Sequence, residues 1–168
     1  MSSVYISIGS NVERESNVRK ALKMLNQRFN TLHCSSIYET LPVGFSGALF
    51  YNLVAMFYTD LSPAEVVTTL KNIEDQCGRD RTQQKFSNRS VDLDLLLYDD
   101  LILKQGNVNI PRDEILHYAY VLEPLAEIVP QLKHPELGIS YAQMWDNFDK
   151  HNENQQRIDG LLETLLTP

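Results

Sequence analysis

The chain of 168 residues is 43% hydrophobic and carries 22 acidic against 15 basic residues, a net charge of −7. This length is enough for one domain with a substantial core. The acidic balance argues against broad binding to nucleic acids or anionic membranes, which requires a basic face. No apolar run approaches a membrane span, and the N-terminus lacks the basic segment of a secretory signal, so we expect a cytoplasmic protein with no nucleic-acid or membrane partner.

Hydrophobic periodicity predicts three strands and one helix in the first part of the chain. The first strand is expected to end at Gly9-Ser10-Asn11, and a turn is expected at Leu41-Pro42-Val43-Gly44. The predicted strands are residues 4–8, 31–38 and 50–58, and the predicted helix is residues 11–29.

The next helix has the clearest boundaries. Ser62-Pro63-Ala64-Glu65 combines an N-cap, a proline in the first turn and a glutamate three residues after the cap, the pattern of a capping box. An apolar stripe starts at Val66 and continues to Cys77, and Gly78 supplies a C-terminal stop. Cys77 and Cys34 have no metal-ligand spacing, so we expect reduced thiols.

A cluster of cations follows this helix. Within eleven residues that hold one acid, the chain has Arg79, Arg81, Lys85 and Arg89. On an acidic protein, such a cluster predicts a site for a compact anionic ligand. Arginine suits phosphate because its rigid fork grips two oxygens at once. The alternative for this segment alone is a solvated loop with ordinary surface cations.

A predicted strand at residues 91–98 carries Asp92 and Asp94. Aspartate is depleted in strands. Since alternate residues share a face, both carboxylates are expected to point the same way, roughly 6.5–7 Å apart along the backbone. Mg²⁺ usually takes one or two carboxylates together with substrate phosphates. The aspartates and the preceding cations therefore predict a site for Mg²⁺ and a polyphosphate, with a solvent-facing strand edge as the alternative.

The remaining elements are shorter. Leu93, Leu95 and Leu97 are expected to face the core opposite the two aspartates. A turn at Asp99-Asp100, a strand at 101–103, a helix at 118–128, a short helix at 140–148 and an amphipathic helix through Ile158, Leu161, Leu162 and Leu165 complete the prediction. Because two successive strands lack a helix between them, this order predicts an α+β protein with a mixed or antiparallel sheet. A ferredoxin-like sandwich with an extra helical C-terminal tail fits it best.

Several short motifs occur in a fixed order along the chain. They are Gly9-Ser10-Asn11, Tyr38-x-Thr40-x-Pro42-x-Gly44, Phe50-x-Asn52, Arg79-x-Arg81, Arg89-Ser90-Val91-Asp92-Leu93-Asp94 and Tyr120-Val121-Leu122-x-Pro124-Leu125-x-Glu127-Ile128. Together they resemble the 6-hydroxymethyl-7,8-dihydropterin pyrophosphokinases over residues 4 to about 145. The resemblance implies a ferredoxin-like fold, two Mg²⁺ ions, and transfer of pyrophosphate from ATP to the pterin hydroxymethyl group with release of AMP, in folate biosynthesis.

The resemblance also implies a role for each candidate residue. Asp92 and Asp94 are the expected metal ligands, and the expected catalytic residues are Arg79, Arg89 and Asp94. The expected ATP contacts are Glu74, Arg79, Arg81, Lys85, Arg89 and Arg112, although Glu74 could equally be a solvent-facing helix acid. The pterin is expected to lie between Phe50 and Tyr120, with Asn52 and the backbone around Thr40 and Val43 at its edge. For either aromatic residue alone, simple core packing is the alternative.

The chain departs from the family pattern after Ile110-Pro111. The usual histidine is replaced by Arg112, and the usual arginine two residues before the pterin-stacking aromatic is Tyr118, which cannot supply a guanidinium charge. Leu41 replaces a usual proline, and Phe86 a usual tryptophan. We expect these changes to affect rate and ATP affinity more than reaction type.

Three hypotheses of function follow. The first is an active Mg²⁺-dependent pterin pyrophosphokinase, the second a diverged paralogue that binds pterin or nucleotide without turnover, and the third a ferredoxin-like nucleic-acid or protein-interaction module. The negative charge and the aspartate pair count against the third. We expect a monomer, with a catalytic domain at 1–145 and a helical extension at 146–168 packed on it.

Overall fold

The computed structural model describes residues 1–78, 90–151 and 154–168. The predicted basic segment, with Arg79, Arg81, Lys85, Phe86 and Arg89, lies outside the described residues. The strands are β1 (Ser2–Ser10), β2 (His33–Cys34), β3 (Ile37–Thr40), β4 (Phe50–Thr59), β5 (Asp92–Tyr98), β6 (Leu103–Gln105), β7 (Val108–Ile110) and β8 (Gln156–Ile158). The helices are α1 (Arg14–Phe29), α2 (Pro63–Gln76), α3 (Glu114–His117), α4 (Ala119–Ile128), α5 (Tyr141–Asn147) and α6 (Leu161–Leu166).

The main sheet has the order β5-β1-β4-β3-β8, and β2 pairs with β4 beyond the end of β3. All of these pairings are antiparallel. β1, α1, β3, β4, α2 and β5 follow one another as strand-helix-strand-strand-helix-strand, which is the ferredoxin-like arrangement. The predicted α+β fold class is therefore confirmed, and β6 and β7 form a separate hairpin.

Buried side chains form one cluster on each face of the sheet. One cluster joins the sheet to α1 and α2 and includes Ile8, Leu22, Leu53 and Leu70. The other joins the opposite face to α4 and α5 and includes Tyr5, Val54, Leu122, Leu125 and Tyr141. Each helix thus buries one apolar stripe against the sheet, which is the main stabilising contribution to this layered fold.

The sheet register decides which polar residues meet. Gly9 of β1 lies opposite Asn52 of β4 on one side and opposite Asp92 of β5 on the other. Ser7 lies opposite Asp94 in the same way. Directly paired residues share a face, so Asn52, Asp92 and Asp94 belong to the face that also packs against α4.

A β-bulge interrupts the pairing of β1 with β5. Tyr5 pairs with Leu97 and Ile6 with Leu95, which leaves Leu96 as the extra residue. The bulge reverses the alternation, so Leu97 packs with Tyr5 in the α4 cluster, whereas Leu95 packs in the α1/α2 cluster. The prediction that Leu97 shares a face with Leu93 and Leu95 is therefore wrong.

The single strand predicted at residues 31–38 is also wrong. The ladder is interrupted at Ser35-Ser36, where the Ser35 hydroxyl, instead of a backbone carbonyl, accepts the hydrogen bond from the Val54 N–H at 3.0 Å. The Ser36 N–H donates to Glu127 Oε1 of α4 at 2.8 Å. These bonds turn the backbone out of the ladder between β2 and β3.

Helix α2 begins as its sequence predicts. The Ser62 hydroxyl accepts from the Glu65 N–H at 3.3 Å, and Glu65 Oε2 accepts from the Ser62 N–H at 2.7 Å. This reciprocal pair is the predicted capping box. Gly78, with φ of +85°, supplies the left-handed residue after the helix.

The C-terminal segment differs from its prediction. Residue Ile158, predicted to belong to a helix, lies in β8 and pairs with Ile37 of β3. α6 follows, and the Arg19 guanidinium of α1 donates to the Thr167 carbonyl at 2.6 Å. The predicted boundary between 1–145 and 146–168 stays a prediction. Among the described residues, no helix is both long and apolar enough to cross a bilayer.

Candidate active site

A cleft of about 220 Å³ lies beside β5, between α2 and the β6–β7 hairpin. Its lining residues are Val67, Leu70, Lys71, Glu74, Asp92, Leu93, Asp94, Leu95, Asn107, Asn109 and Arg112. The structure thus brings together four predicted site residues from three separate parts of the sequence: Glu74, the two aspartates and Arg112. Apolar and charged groups share this wall because both faces of β5 reach it: Leu93 and Leu95 belong to the buried core, and Asp92 and Asp94 alternate with them.

Both aspartates are half-buried, while Val91, Leu93 and Leu95 between and beside them are buried. Burial and the nearby Asp92 carboxylate raise the pKa of Asp94 to about 7, against the opposing effect of the Arg112 guanidinium. A carboxyl group that is costly to ionise gains most from a cation placed against it. The pair is therefore electrostatically suited to a bound cation.

Glu74 is a buried residue of α2, 4% exposed. Its Oε1 accepts a hydrogen bond at 2.7 Å from the Leu93 N–H, a backbone group between the two aspartates. The reading of Glu74 as a solvent-facing helix acid is therefore wrong. The glutamate fixes the distance between α2 and β5 and adds a third acid to the cleft wall, and its contact with ATP stays a prediction.

Arg112 lies between two acids. Its Nη2 is 3.3 Å from Asp94 Oδ1, and its Nε is 3.0 Å from Glu114 Oε2. The Arg112 backbone N–H donates to the Leu96 carbonyl at 3.0 Å, so the β7–α3 connection is fastened to β5 two residues beyond Asp94. This fastening is what brings the guanidinium to the carboxylate pair.

The predicted pterin-edge residues meet on the α4 face of the sheet. Asn52 is 8% exposed and Thr40 is 5% exposed. The Asn52 amide Nδ2 donates to Thr40 Oγ1 at 2.7 Å. This bond uses one donor of a buried amide and orients its carbonyl oxygen toward Gly9. Val43 lies on the loop between β3 and β4 and is exposed.

The two predicted stacking residues, Phe50 and Tyr120, are each half-buried. Phe50 packs edge-on against Phe45, with ring centroids 6.3 Å apart, and Tyr120 stacks on Tyr118 at 5.1 Å. Burial raises the pKa of the Tyr120 hydroxyl, and Tyr118, Glu114, Asp94 and Asp92 raise it further. Tyr120 therefore lies within electrostatic reach of the carboxylate pair.

Sequence reasoning missed three polar residues of the cleft, Lys71, Asn107 and Asn109. Lys71 has the spacing of an ordinary helix-surface lysine, and the two asparagines belong to a hairpin whose strands have three residues each. Nothing local in the sequence distinguishes these positions, because they reach the cleft only through the packing of the hairpin against α2.

Among the described residues, no group of three or more His, Cys, Asp or Glu side chains is arranged to hold a metal ion. The candidate donor set is the pair Asp92 and Asp94. This set fits Mg²⁺, which commonly binds one or two protein carboxylates and completes its shell with phosphate and water oxygens. It does not fit zinc, which favours nitrogen and sulfur ligands in a closed shell.

The fold and the cleft together are those of a ferredoxin-like α+β protein with a carboxylate pair at the edge of its sheet. The family can be stated from sequence comparison. The chain belongs to the 7,8-dihydro-6-hydroxymethylpterin-pyrophosphokinase (HPPK) family, whose sequence model matches residues 5–130. The resemblance inferred from the motifs is thereby confirmed.

Individual relatives agree with this assignment. The 2-amino-4-hydroxy-6-hydroxymethyldihydropteridine pyrophosphokinase of Bacillus subtilis is 35% identical over 133 residues, which cover 77% of this chain and 79% of the relative. The Haemophilus influenzae protein of the same name is 34% identical over 143 residues, covering 83% and 89%. A crystal structure of Plasmodium falciparum HPPK-DHPS shares the fold, with a TM-score of 0.74 at 14% identity, over 93% of this chain and 45% of that one.

Proposed function

We propose that this pterin pyrophosphokinase of folate biosynthesis transfers the pyrophosphoryl group of ATP to the hydroxymethyl group of 6-hydroxymethyl-7,8-dihydropterin and releases AMP. Family membership supports the reaction. The single structural observation that supports its metal dependence is the half-buried pair Asp92 and Asp94, which share one face of β5 at the wall of the cleft. We expect two Mg²⁺ ions, with ATP as co-substrate.

Phosphoryl transfer depends mainly on positioning and on neutralising charge. When bound at the aspartates, Mg²⁺ would neutralise phosphate charge and acidify the attacking hydroxyl. Arg112 supplies a cation at the cleft wall, and the predicted phosphate contacts of Arg79, Arg81, Lys85 and Arg89 belong to the same proposal. Asp94 is the proposed acceptor of the hydroxyl proton.

The pterin ring is proposed to lie along the row formed by Asn52, Gly9 and Asp92. Asn52 would hydrogen-bond the ring edge, together with the backbone around Thr40 and Val43. The half-buried rings of Phe50 and Tyr120 would cover its faces. Because Gly9 lies between the amide and the carboxylate in the register, a ring held at Asn52 directs its substituent toward the metal ligands.

The non-catalytic paralogue is not favoured. Its support came from the replacements at Arg112 and Tyr118, and the structure places Arg112 as a cation beside the carboxylate pair. Tyr118 carries no such charge, but its ring supports Tyr120. An interaction module for nucleic acid is not favoured either, since the chain has a net charge of −7 and acids line its cleft.

We also propose that the protein is cytoplasmic and monomeric. Cys34 and Cys77 are free thiols, which fits a reducing compartment. Sedimentation of the purified protein at several concentrations would test the monomer, because a dimer would show a concentration-dependent mass.

The reaction is tested by incubating the protein with Mg²⁺, ATP and 6-hydroxymethyl-7,8-dihydropterin and measuring AMP. We expect AMP that requires the pterin, is lost in Asp94→Ala, and persists in Asp100→Ala, a matched change on the exposed turn after β5. Binding of both substrates without AMP would support the non-catalytic paralogue instead. AMP formation that is independent of pterin would contradict the proposed acceptor.

A further inference from the structure

Arg112 lies beside Asp94, one of the two expected metal ligands. Its guanidinium is 3.3 Å from Asp94 Oδ1 and 3.0 Å from Glu114 Oε2, and the three side chains are 26%, 31% and 29% exposed. Charge-assisted bonds of this type are shortest and strongest near 2.7–2.9 Å. Both separations exceed this range, so neither carboxylate holds the guanidinium in an optimal bond, and Glu114 can keep it nearby when Asp94 releases it.

Hydrogen bonds fix the backbone of Arg112, whereas its guanidinium can move by rotation of the side chain. Its N–H donates to the Leu96 carbonyl at 3.0 Å, and its carbonyl accepts from the Ile115 N–H at 3.2 Å. A new position of the guanidinium consequently requires only side-chain rotation, which costs much less than a movement of the β7–α3 connection.

We infer that Arg112 is the resident counter-ion of Asp94 and that it keeps divalent cations weakly bound until a nucleotide phosphate draws it away from this carboxylate. The inference rests on the proposed metal and nucleotide sites and goes beyond them, because it assigns Arg112 a regulatory role in addition to phosphate contact. Arg112 acts through Asp94 and is thus a positioning residue.

The physical reason is competition for the same oxygen atoms. A divalent cation at Asp94 is repelled by a guanidinium within about 4 Å. Arginine does not lose its proton at any ordinary pH, so the repulsion ends only when the side chain moves. Phosphate oxygens can accept two parallel hydrogen bonds from the guanidinium. Metal and nucleotide therefore strengthen each other's binding by the same factor, as linkage requires.

The test is a titration of Mn²⁺, a spectroscopic substitute for Mg²⁺, into the nucleotide-free protein, followed by electron paramagnetic resonance. In Arg112→Gln, which removes the charge, we expect Mn²⁺ affinity to rise by about tenfold. Arg112→Lys keeps the charge and should stay close to the unchanged protein. Arg157→Gln is the matched control. Arg157 lies on β8, and its Nε forms an exposed ion pair at 3.0 Å with Oδ1 of Asp159, which follows the strand.

A second titration measures coupling with α,β-methylene-ATP, which resists transfer. The analogue should increase Mn²⁺ affinity more in the unchanged protein than in Arg112→Gln, since the variant has no guanidinium to relocate. Equal Mn²⁺ affinity in both proteins without nucleotide would overturn the inference and leave the metal site intact. No Mn²⁺ binding in either protein, with or without the analogue, would overturn the metal site and the inference with it.

Discussion

Gly9 and Asn52 face each other across β1 and β4 with no room for a side chain between them. A Cβ atom built on Gly9 would stand 2.8 Å from Asn52 Oδ1 and 3.8 Å from the nearest ring carbon of Phe50. A separation of 2.8 Å is too short for carbon and oxygen that are not bonded. Because Asn52 is held by its 2.7 Å bond to Thr40 Oγ1, the amide cannot move without breaking that bond.

Gly9→Ala is therefore expected to weaken pterin binding while ATP binding changes little. The added methyl group displaces Asn52, and overpacking of this kind costs about 1–3 kcal/mol. Calorimetric titration with each substrate measures both effects. In an Asn52→Ala background the same substitution should cost less, because the clashing atom is gone. Equal losses in both backgrounds would argue against the contact as the cause.

Asp94→Asn is expected to stabilise the metal-free protein at high pH. The folded-state pKa of Asp94, raised to about 7 by burial and by Asp92, exceeds that of an unfolded aspartate. The folded state thus binds the extra proton, and the free energy of unfolding falls as the pH rises from about 4 to about 7. The neutral variant escapes this loss, which we place on the order of 1–3 kcal/mol at pH 8.

Urea denaturation in EDTA at pH 4.5 and pH 8 provides the measurement for Asp94→Asn. The stabilisation should be clear at pH 8 and much smaller at pH 4.5, where the folded carboxyl is still protonated and the free energy of unfolding has only begun to fall. Asp100→Asn, on the exposed turn after β5, serves as the control and should show no such difference. A destabilised Asp94→Asn at pH 8 would show that its charge favours the metal-free fold.

Glu127→Ala is expected to destabilise the protein by about 2–3 kcal/mol. Glu127 Oε1 accepts from the N–H and the hydroxyl of Ser36, each at 2.8 Å, and its Oε2 accepts from the Tyr38 hydroxyl at 2.5 Å. Tyr38 is 2% exposed, so its hydroxyl would lose its partner in a desolvated position.

Chemical denaturation of Glu127→Ala, Glu127→Gln and Glu163→Ala separates these contributions. Glu127→Gln retains an acceptor and should lose less, while Glu163 is exposed on α6 and its removal should be neutral. Since Glu127 fixes α4, which carries Tyr120, we also expect weaker pterin binding in Glu127→Ala. Unchanged stability would mean that water replaces the lost carboxylate at no cost.

Arg19→Ala is expected to loosen α6 without abolishing AMP formation. The Arg19 guanidinium donates to three carbonyls near the C-terminus of α6, those of Thr164, Leu165 and Thr167. Cations at this end of a helix also complement its dipole. Faster hydrogen exchange in residues 161–168 would register the loss. Lys23→Ala, an exposed change on α1, is the control, and equal exchange in both variants would contradict the role of Arg19.

Features encoded by neighbouring residues could be predicted from the sequence. The capping box of α2 depends on Ser62 and Glu65 alone, and the shared face of Asp92 and Asp94 depends only on the two-residue period of a strand. The two-residue period gave the wrong face for Leu97, because the bulge at Leu96 arises from the pairing of β5 with β1. The residues at 91–98 alone do not indicate where this pairing shifts, so the bulge could not be predicted from them.

Features that depend on distant packing could not be predicted. β8 has three residues and exists as a strand because Ile37 of β3 offers a partner to Ile158. The ion pair between Arg112 and Asp94 depends on how the β7–α3 connection folds onto β5. The sequence identified both residues as members of the site, yet only the folded chain shows that one neutralises the other.

The pairing of β8 with β3 has a consequence for how the protein avoids self-association. An uncovered strand at the border of a sheet offers its free N–H and C=O groups to any other chain, which promotes aggregation. Here the partner of Ile37 is supplied from Ile158 of the same molecule. During synthesis β3 emerges long before β8, so a newly made chain must keep this border from foreign strands until residues 156–158 have been made.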